Sequence, residues 1–339
     1  MFRPRYSDPD MADPDVADRI LWGVILRTGC LGQLNFDMEG KLRASVTISG
    51  LGRLFKRDLR GVLEAARIAD EVGIYQLVLP DHLAIGPRLD RYPFAEKFPY
   101  PPEEPWLEPI TTLAAIAAVT TRVRLATGVL ISPVRPALLT AKSVATLDVL
   151  SNGRVDLGVG SGWQREEFVD AGLGFVGRTS RMVDSVRACR ALWEQAPPVS
   201  FASESVTFTD LWCEPRPVQS RIPIGFGGPA NALTAERIAE LGDGWLPIGV
   251  MPDDEIAKGL SEIRAAYAEK GRDSSTIQVR VGLPGITDAK GRVDFSEMKR
   301  RAGVLEELGV TTISVALGRF LAGPEDIAPF IEGLGAAFS

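Results

Sequence analysis

The segment Ser151-Asn152-Gly153-Arg154-Val155-Asp156-Leu157-Gly158-Val159-Gly160-Ser161-Gly162-Trp163-Gln164-Arg165-Glu166-Glu167-Phe168 opens on an Asn-Gly tight turn and runs into a short β-branched strand. Gly158, Gly160 and Gly162 then strip side chains from that strand's C-terminal end. Helical periodicity precedes the segment, from Ala137 to Val149, and returns after it, from Arg181 to Trp193. The same alternation runs outward in both directions. Strands read at Leu21 to Leu26, Tyr75 to Leu79, Val123 to Leu130, Arg154 to Val159, Ile222 to Phe226, Trp245 to Ile248, Ile277 to Val281 and Thr311 to Leu317. Helices fall near Lys56 to Val72, Pro109 to Thr120, Ala232 to Leu241, Asp253 to Lys270, Phe295 to Leu308 and Pro324 to Leu334. Alternating strand and helix argues for parallel pairing, and eight such units in 339 residues predict an α/β fold of the (β/α)8 TIM-barrel type.

Three stretches interrupt the alternation: residues 27–55 after the first strand, 83–108 after the second and 199–220 before the fifth. Within the last, Ser200 to Leu211 alternates polar and apolar like a small hairpin. Loops that follow barrel strands lie on the C-terminal face, where active sites are built, although an insertion can also be merely tolerated. The expected organisation is an N-terminal extension, 1–18, followed by one barrel domain, 19–339. The extension is rich in Pro and Asp, with no basic region ahead of an apolar run, so it does not read as a signal peptide.

Composition excludes several classes. A net charge of −6 without any Lys/Arg block argues against nucleic acid, and no apolar run reaches the roughly 18 residues of a membrane span. Cys30, Cys189 and Cys213 have neither metal-ligand spacing nor the density of a disulfide framework, which predicts a reducing, cytoplasmic setting. The single histidine, His82, leaves too few imidazoles for a metal-dependent barrel hydrolase, so no metal site is expected.

Leu79-Pro80-Asp81-His82 ends the second strand and sets a carboxylate beside an imidazole, a pair able to hold a ring and move a proton. A structural histidine bonded to a loop carbonyl fits the same pattern. In Leu125-Ala126-Thr127-Gly128-Val129-Leu130-Ile131-Ser132-Pro133, a glycine inside a strand marks a bulge, a barrel-corner kink or a close ligand approach. The glycines at 158, 160 and 162 would let something flat or phosphorylated reach main-chain amides, but the spacing is not that of a dinucleotide fingerprint. Gly225-Phe226-Gly227-Gly228-Pro229-Ala230-Asn231 leads straight into a helix and suits a cofactor phosphate. Gly282-Leu283-Pro284-Gly285 and Gly318-Arg319 compete for that role.

In this order and on these strands, the four stretches resemble the luciferase-like monooxygenase superfamily, in its deazaflavin (coenzyme F420)-dependent oxidoreductase branch. The likeness runs from about Arg19 to Val281. It is most specific across Ala141-Lys142-Ser143-Val144-Ala145-Thr146-Leu147-Asp148-Val149-Leu150-Ser151-Asn152-Gly153-Arg154 and on through Gly158 to Phe168. The resemblance implies a barrel holding a deazaflavin or flavin at its C-terminal mouth, with Asp81 and His82 beside the ring and His82 as proton donor. It implies a non-prolyl cis peptide at Gly128-Val129 under the ring. Ile131, Ser161, Gly162, Trp163 and Glu166 fall at cofactor-side positions, and Gly227, Gly228, Ala230 and Asn231 near the phosphate or tail. Trp163 stands where the sugar-phosphate dehydrogenase branch has a catalytic Glu, and Arg135-Pro136-Ala137 replaces the familiar Arg-His-Pro.

The resulting expectation is an oxidoreductase moving hydride between coenzyme F420 and a small, largely apolar substrate, with Tyr92, Phe94, Phe98, Tyr100, Trp106 and Trp163 lining the substrate side. The alternatives are an FMN-dependent monooxygenase and a non-catalytic flavin or deazaflavin binder. The resemblance also implies a homodimer.

Overall fold

A computed structural model of the chain describes residues 42–56, 58–229 and 231–338. Its elements are β1 (Arg43–Thr47), α1 (Leu51–Leu54), α2 (Gly61–Glu71), β2 (Gln76–Leu79), α3 (Pro109–Ala117), β3 (Arg124–Thr127), β4 (Leu130–Ile131) and α4 (Ala137–Ser151). There follow β5 (Val155–Gly160), α5 (Arg165–Asp170), α6 (Arg178–Glu194), β6 (Val199–Ala202), β7 (Thr207–Leu211), β8 (Ile224–Gly227), α7 (Ala232–Leu241) and β9 (Gly244–Leu246). The last are α8 (Asp253–Glu269), β10 (Gln278–Gly282), α9 (Phe295–Leu308), β11 (Thr312–Ala316), α10 (Leu317–Phe320) and α11 (Ile327–Phe338).

The strands pair in the order β3-β2-β1-β11-β10-β9-β8-β5-β4, all parallel, and β3 pairs with β5 to close the ring. β3 and β4 share one barrel position, so the sheet is an eight-position (β/α) barrel. The expected fold class holds, and the hairpin expected before the fifth barrel strand is β6–β7, antiparallel.

The first strand is a correction. Leu21 to Leu26 and the extension 1–18 lie outside the described residues, and the stretch read as a long loop, 27–55, contains β1 at Arg43–Thr47. Arg43↔Thr312 through Thr47↔Ala316 fix its register on β11. Every other residue of this strand turns a polar side chain into the barrel: Ser45 Oγ donates to the Ile313 carbonyl (2.9 Å), and the Thr47 and Ser314 hydroxyls meet at 2.8 Å. Only Ala44 and Val46 face the helices, so the apolar signal is weak.

The outward faces carry the core. Val46, Leu77, Leu125, Leu157, Phe226, Trp245, Val279 and Ile313 are buried against the helical layer, each worth about 1.5–3 kcal/mol for the larger side chains. Asp70, at the end of α2, accepts from the Thr121, Arg122 and Val123 amides (2.9, 2.7 and 2.7 Å) and so pins the turn that feeds β3.

The inward faces are short of side chains near the mouth. A Cβ on Gly158 would lie 2.2 Å from the Thr127 carbonyl oxygen and 2.7 Å from Leu246, because β3 passes close over β5. Thr127 Oγ1 donates to the Gly158 carbonyl (2.7 Å) across the same gap. Gly158→Ala should therefore destabilise the protein by about 2–4 kcal/mol in denaturant titrations. Gly303→Ala, inside α9 with nothing within 4 Å of its Cβ position, should stabilise it by about 0.5–1 kcal/mol. An unchanged unfolding midpoint for Gly158→Ala would contradict the close β3–β5 approach.

Candidate active site

The floor of the mouth is the break between β3 and β4. The Gly128–Val129 peptide is cis, as the family resemblance implies. Val129 stands over the ends of two strands: a Cβ on Gly160 would meet its Cγ2 at 2.4 Å, and one on Gly227 its Cγ1 at 2.8 Å. The role expected for the strand-5 glycines is corrected here. Gly158 and Gly160 make room for Leu246, the Thr127 carbonyl and Val129, all parts of the chain itself, rather than opening main-chain amides to a ligand. Gly162, at φ +72°, packs on Ile131 and Phe168, and its carbonyl accepts from Arg178 Nε (2.9 Å).

Asp81 braces this floor. Its side chain has no exposed area; Oδ2 accepts from the Ile131 amide (2.8 Å) and Arg135 Nη1 (2.6 Å), and Oδ1 from Arg135 Nη2 (3.0 Å). Arg135 also reaches Glu108, which caps α3 by accepting from the Thr111 amide. Both Asp81 oxygens are thus taken by the chain's own donors. Ile131 is buried with Val134 and Phe168 in a satellite core.

His82 follows Asp81 and faces the other way. Its Nδ1 lies 3.1 Å from both oxygens of Glu167, a carboxylate on α5 with no exposed side-chain area. The Leu83 amide donates to the same carboxylate (2.8 Å). Among the described residues no hydrogen bond occupies Nε2. The imidazole stands edge-on to Trp106, Phe98 and Trp163, with ring centroids 4.9, 5.2 and 6.0 Å away. Tyr92 joins Phe94, Phe98 and Trp163, and Tyr100 joins Phe98 and Trp106. The six aromatic residues singled out from sequence therefore form one cluster around the only histidine. Trp106 Nε1 and Gln164 Oε1 are buried there without partners among the described residues.

Glu167 is the site residue that sequence reasoning missed; its neighbour Glu166 was preferred. Glu166 is half-exposed, its stem against Gly86 in the loop after β2. The usable signal was the helix face, since Glu167 precedes Phe168 and both turn inward.

At the far side of the mouth, Gly227 and Gly228 lead to α7. Among the described residues a Cβ on Gly228 would find only Thr234 Oγ1, at 3.8 Å. Asn231 spends its side-chain oxygen capping α7, accepting from the Thr234 amide (2.9 Å), and leaves other first-turn amides to an anion. Ala230 lies outside the described residues. In the competing loops a Cβ on Gly282 would sit 2.8 Å from the Gly249 carbonyl oxygen, and Gly318 abuts Gly50. Ser161 is half-buried beside Gly162 at the end of β5.

Residues 41–293 match the family model described as luciferase-like monooxygenase. The chain belongs to the luciferase-like monooxygenase family. It is thereby a member of a family of oxidoreductases and monooxygenases. An uncharacterised protein of Mycobacterium tuberculosis is 35% identical over 289 residues, which span 84% of this chain and 96% of that one. Among solved structures, the monooxygenase RslO1 from Streptomyces bottropensis superposes with a TM-score of 0.72 at 21% identity, covering 87% of this chain and 98% of that one. An F420-dependent secondary alcohol dehydrogenase, solved with an F420–acetone adduct, gives 0.69 at 18% identity, covering 88% and 98%. Among the described residues no helix is long and apolar enough to cross a membrane.

The Asp81–Arg135 brace predicts its own mutational signature. Arg135→Met strands a fully buried carboxylate and should cost about 3 kcal/mol in urea titrations, whereas Asp81→Asn combined with Arg135→Met should recover part of that loss. A single Arg135→Met variant within about 0.5 kcal/mol of the wild type would rule out this role.

Proposed function

We propose that this protein is an oxidoreductase that moves hydride between a deazaflavin of the coenzyme F420 type and a small, largely apolar organic substrate. The observation that carries the reading is the histidine of the mouth, held at Nδ1 by a buried glutamate and walled by aromatic rings, beside a floor that Val129 fills. In this reading a flat ring system lies between Val129 and this wall, with its phosphate tail toward Gly228 and the start of α7. The fold shared with an F420-dependent secondary alcohol dehydrogenase supports the cofactor class.

When bound, the deazaflavin supplies a carbon that takes or gives a hydride. The chain handles the proton. With the Glu167 carboxylate as acceptor, Nδ1 of His82 carries the hydrogen, and Nε2 is left to accept a proton from a substrate hydroxyl or return one to a forming alkoxide. Glu167 fixes the tautomer and ring orientation, as the third group of a hydrolase triad does for its base. The aromatic residues exclude water from the transfer. We further read the protein as a cytoplasmic homodimer, the first from its cysteine usage and the second from the family resemblance.

The same walls accept the isoalloxazine of FMN, and RslO1 is a monooxygenase, so an FMN-dependent reaction with oxygen is the second reading. Fluorescence titration decides between them: tighter binding of F420 than of FMN is expected, and micromolar FMN binding with no F420 signal would replace the first reading by the second. At saturating cofactor, His82→Phe should lower kcat by roughly 100-fold with most cofactor affinity kept, and Glu167→Gln by roughly tenfold. An unchanged kcat in His82→Phe would remove the histidine from the chemistry.

A further inference from the structure

β10 sends Arg280 into the barrel toward the underside of the floor. Its Nη1 donates to Gln76 Oε1 (2.7 Å) and its Nη2 to the Thr127 carbonyl (3.2 Å). A Cβ on Gly128 would lie 2.9 Å from Nη2, so the guanidinium is pressed against the Gly128 α-carbon from the barrel side. Among the described residues Arg280 has no ion-pair partner. Asp156, the carboxylate of the same network, is engaged by Arg124 Nη2 (2.6 Å), Arg124 Nε (2.8 Å) and Gln76 Nε2 (2.6 Å). Beside Arg280 is a cavity of about 30 Å³ lined by Gln76, Asp156, Gly158, Gly225 and Leu246, room for about one water molecule. Burial draws Arg280 down to about 10, against the pull of Asp156, so it is cationic at neutral pH.

A buried positive charge that shares its one nearby carboxylate, Asp156, with Arg124 and is screened by little water projects its potential through the peptide layer that separates it from the mouth. A flavin or deazaflavin ring gains one unit of negative charge when it takes up two electrons and one proton, and charge near the ring tunes its potential. We propose that Arg280 is a positioning residue that acts through the Gly128–Val129 floor to favour the reduced, anionic state of the bound ring over its oxidised state. The inference rests on the reading that the ring lies on that floor. It adds that the driving force of hydride transfer is set from beneath, by a residue that never touches the cofactor.

The test compares wild type, Arg280→Lys and Arg280→Met loaded with FMN, and separately with F420. Its readouts are the affinity ratio of oxidised to reduced cofactor and the two-electron midpoint potential, with circular dichroism to verify the fold. Arg280→Met should lose about tenfold in preference for the reduced form, a midpoint about 30 mV more negative, whereas Arg280→Lys should keep most of it. A merely structural arginine would weaken both redox states alike and leave the ratio unmoved, which would overturn the proposal. Asp156→Asn removes the compensating carboxylate and should shift the ratio the opposite way, so it decides the matter if Arg280→Met does not fold; no shift, or one of the same sign, overturns it. Failure of both rings to bind the wild type would instead overturn the cofactor reading, and this inference with it.

Discussion

Val129 reaches the centre of the barrel mouth because Gly160 and Gly227, on neighbouring strands, have no side chains to occupy that space. Everything else at the C-terminal face is arranged around this approach. β3 stops at Thr127 and the chain resumes as β4 at Leu130, shifted so that Leu130 and Ile131 pair with Val159 and Gly160. The displaced Ile131 amide then needs an acceptor, and Asp81 supplies it with Arg135 as counter-ion. Because Asp81 is fixed, the next residue, His82, is fixed as well, and it meets Glu167 from α5 across the mouth. A packing constraint between strands thus becomes the placement of a proton-handling group.

The two buried carboxylates beside the mouth divide the work. Asp81 accepts three hydrogen bonds from a guanidinium and an amide, so it stiffens the floor. Glu167 is shared between an amide and an imidazole, and the imidazole has a second nitrogen still available. Beneath both, the barrel interior is polar and positive where Arg124 and Arg280 face a single Asp156. Buried charge is costly, and a barrel that keeps it under the floor of its site invests folding free energy in a field directed at the mouth.

Much of this was legible from sequence where a local rule and the tertiary structure agree. The outward face of each strand is apolar, so seven of the eight strand assignments fall on observed strands, and the Asn152-Gly153 turn sits where α4 ends with Asn152 in the left-handed region. β1 was hidden because its inward residues, Arg43, Ser45 and Thr47, bond within the barrel and dilute the apolar signal, while the run from Leu21 to Leu26 reads more strongly. The glycines were located correctly but their partner was not, since nothing local reveals that Val129 and Leu246 fill the space they vacate. The pairing of Asp81 with Arg135 was not legible either, because the two lie 54 positions apart. Arg280 gave no signal at all: one arginine between two valines of a strand acquires meaning only when the barrel closes.

The central claim is that this mouth seats a flat redox ring on Val129 with its phosphate at the start of α7, and a crystal structure of the protein with F420 or FMN tests it most directly. The account predicts ring density against Val129, within reach of His82 Nε2, and phosphate density beside Gly228 and the first-turn amides of α7. A ring bound elsewhere, or a phosphate seated on the loops after β10 or β11, would contradict it.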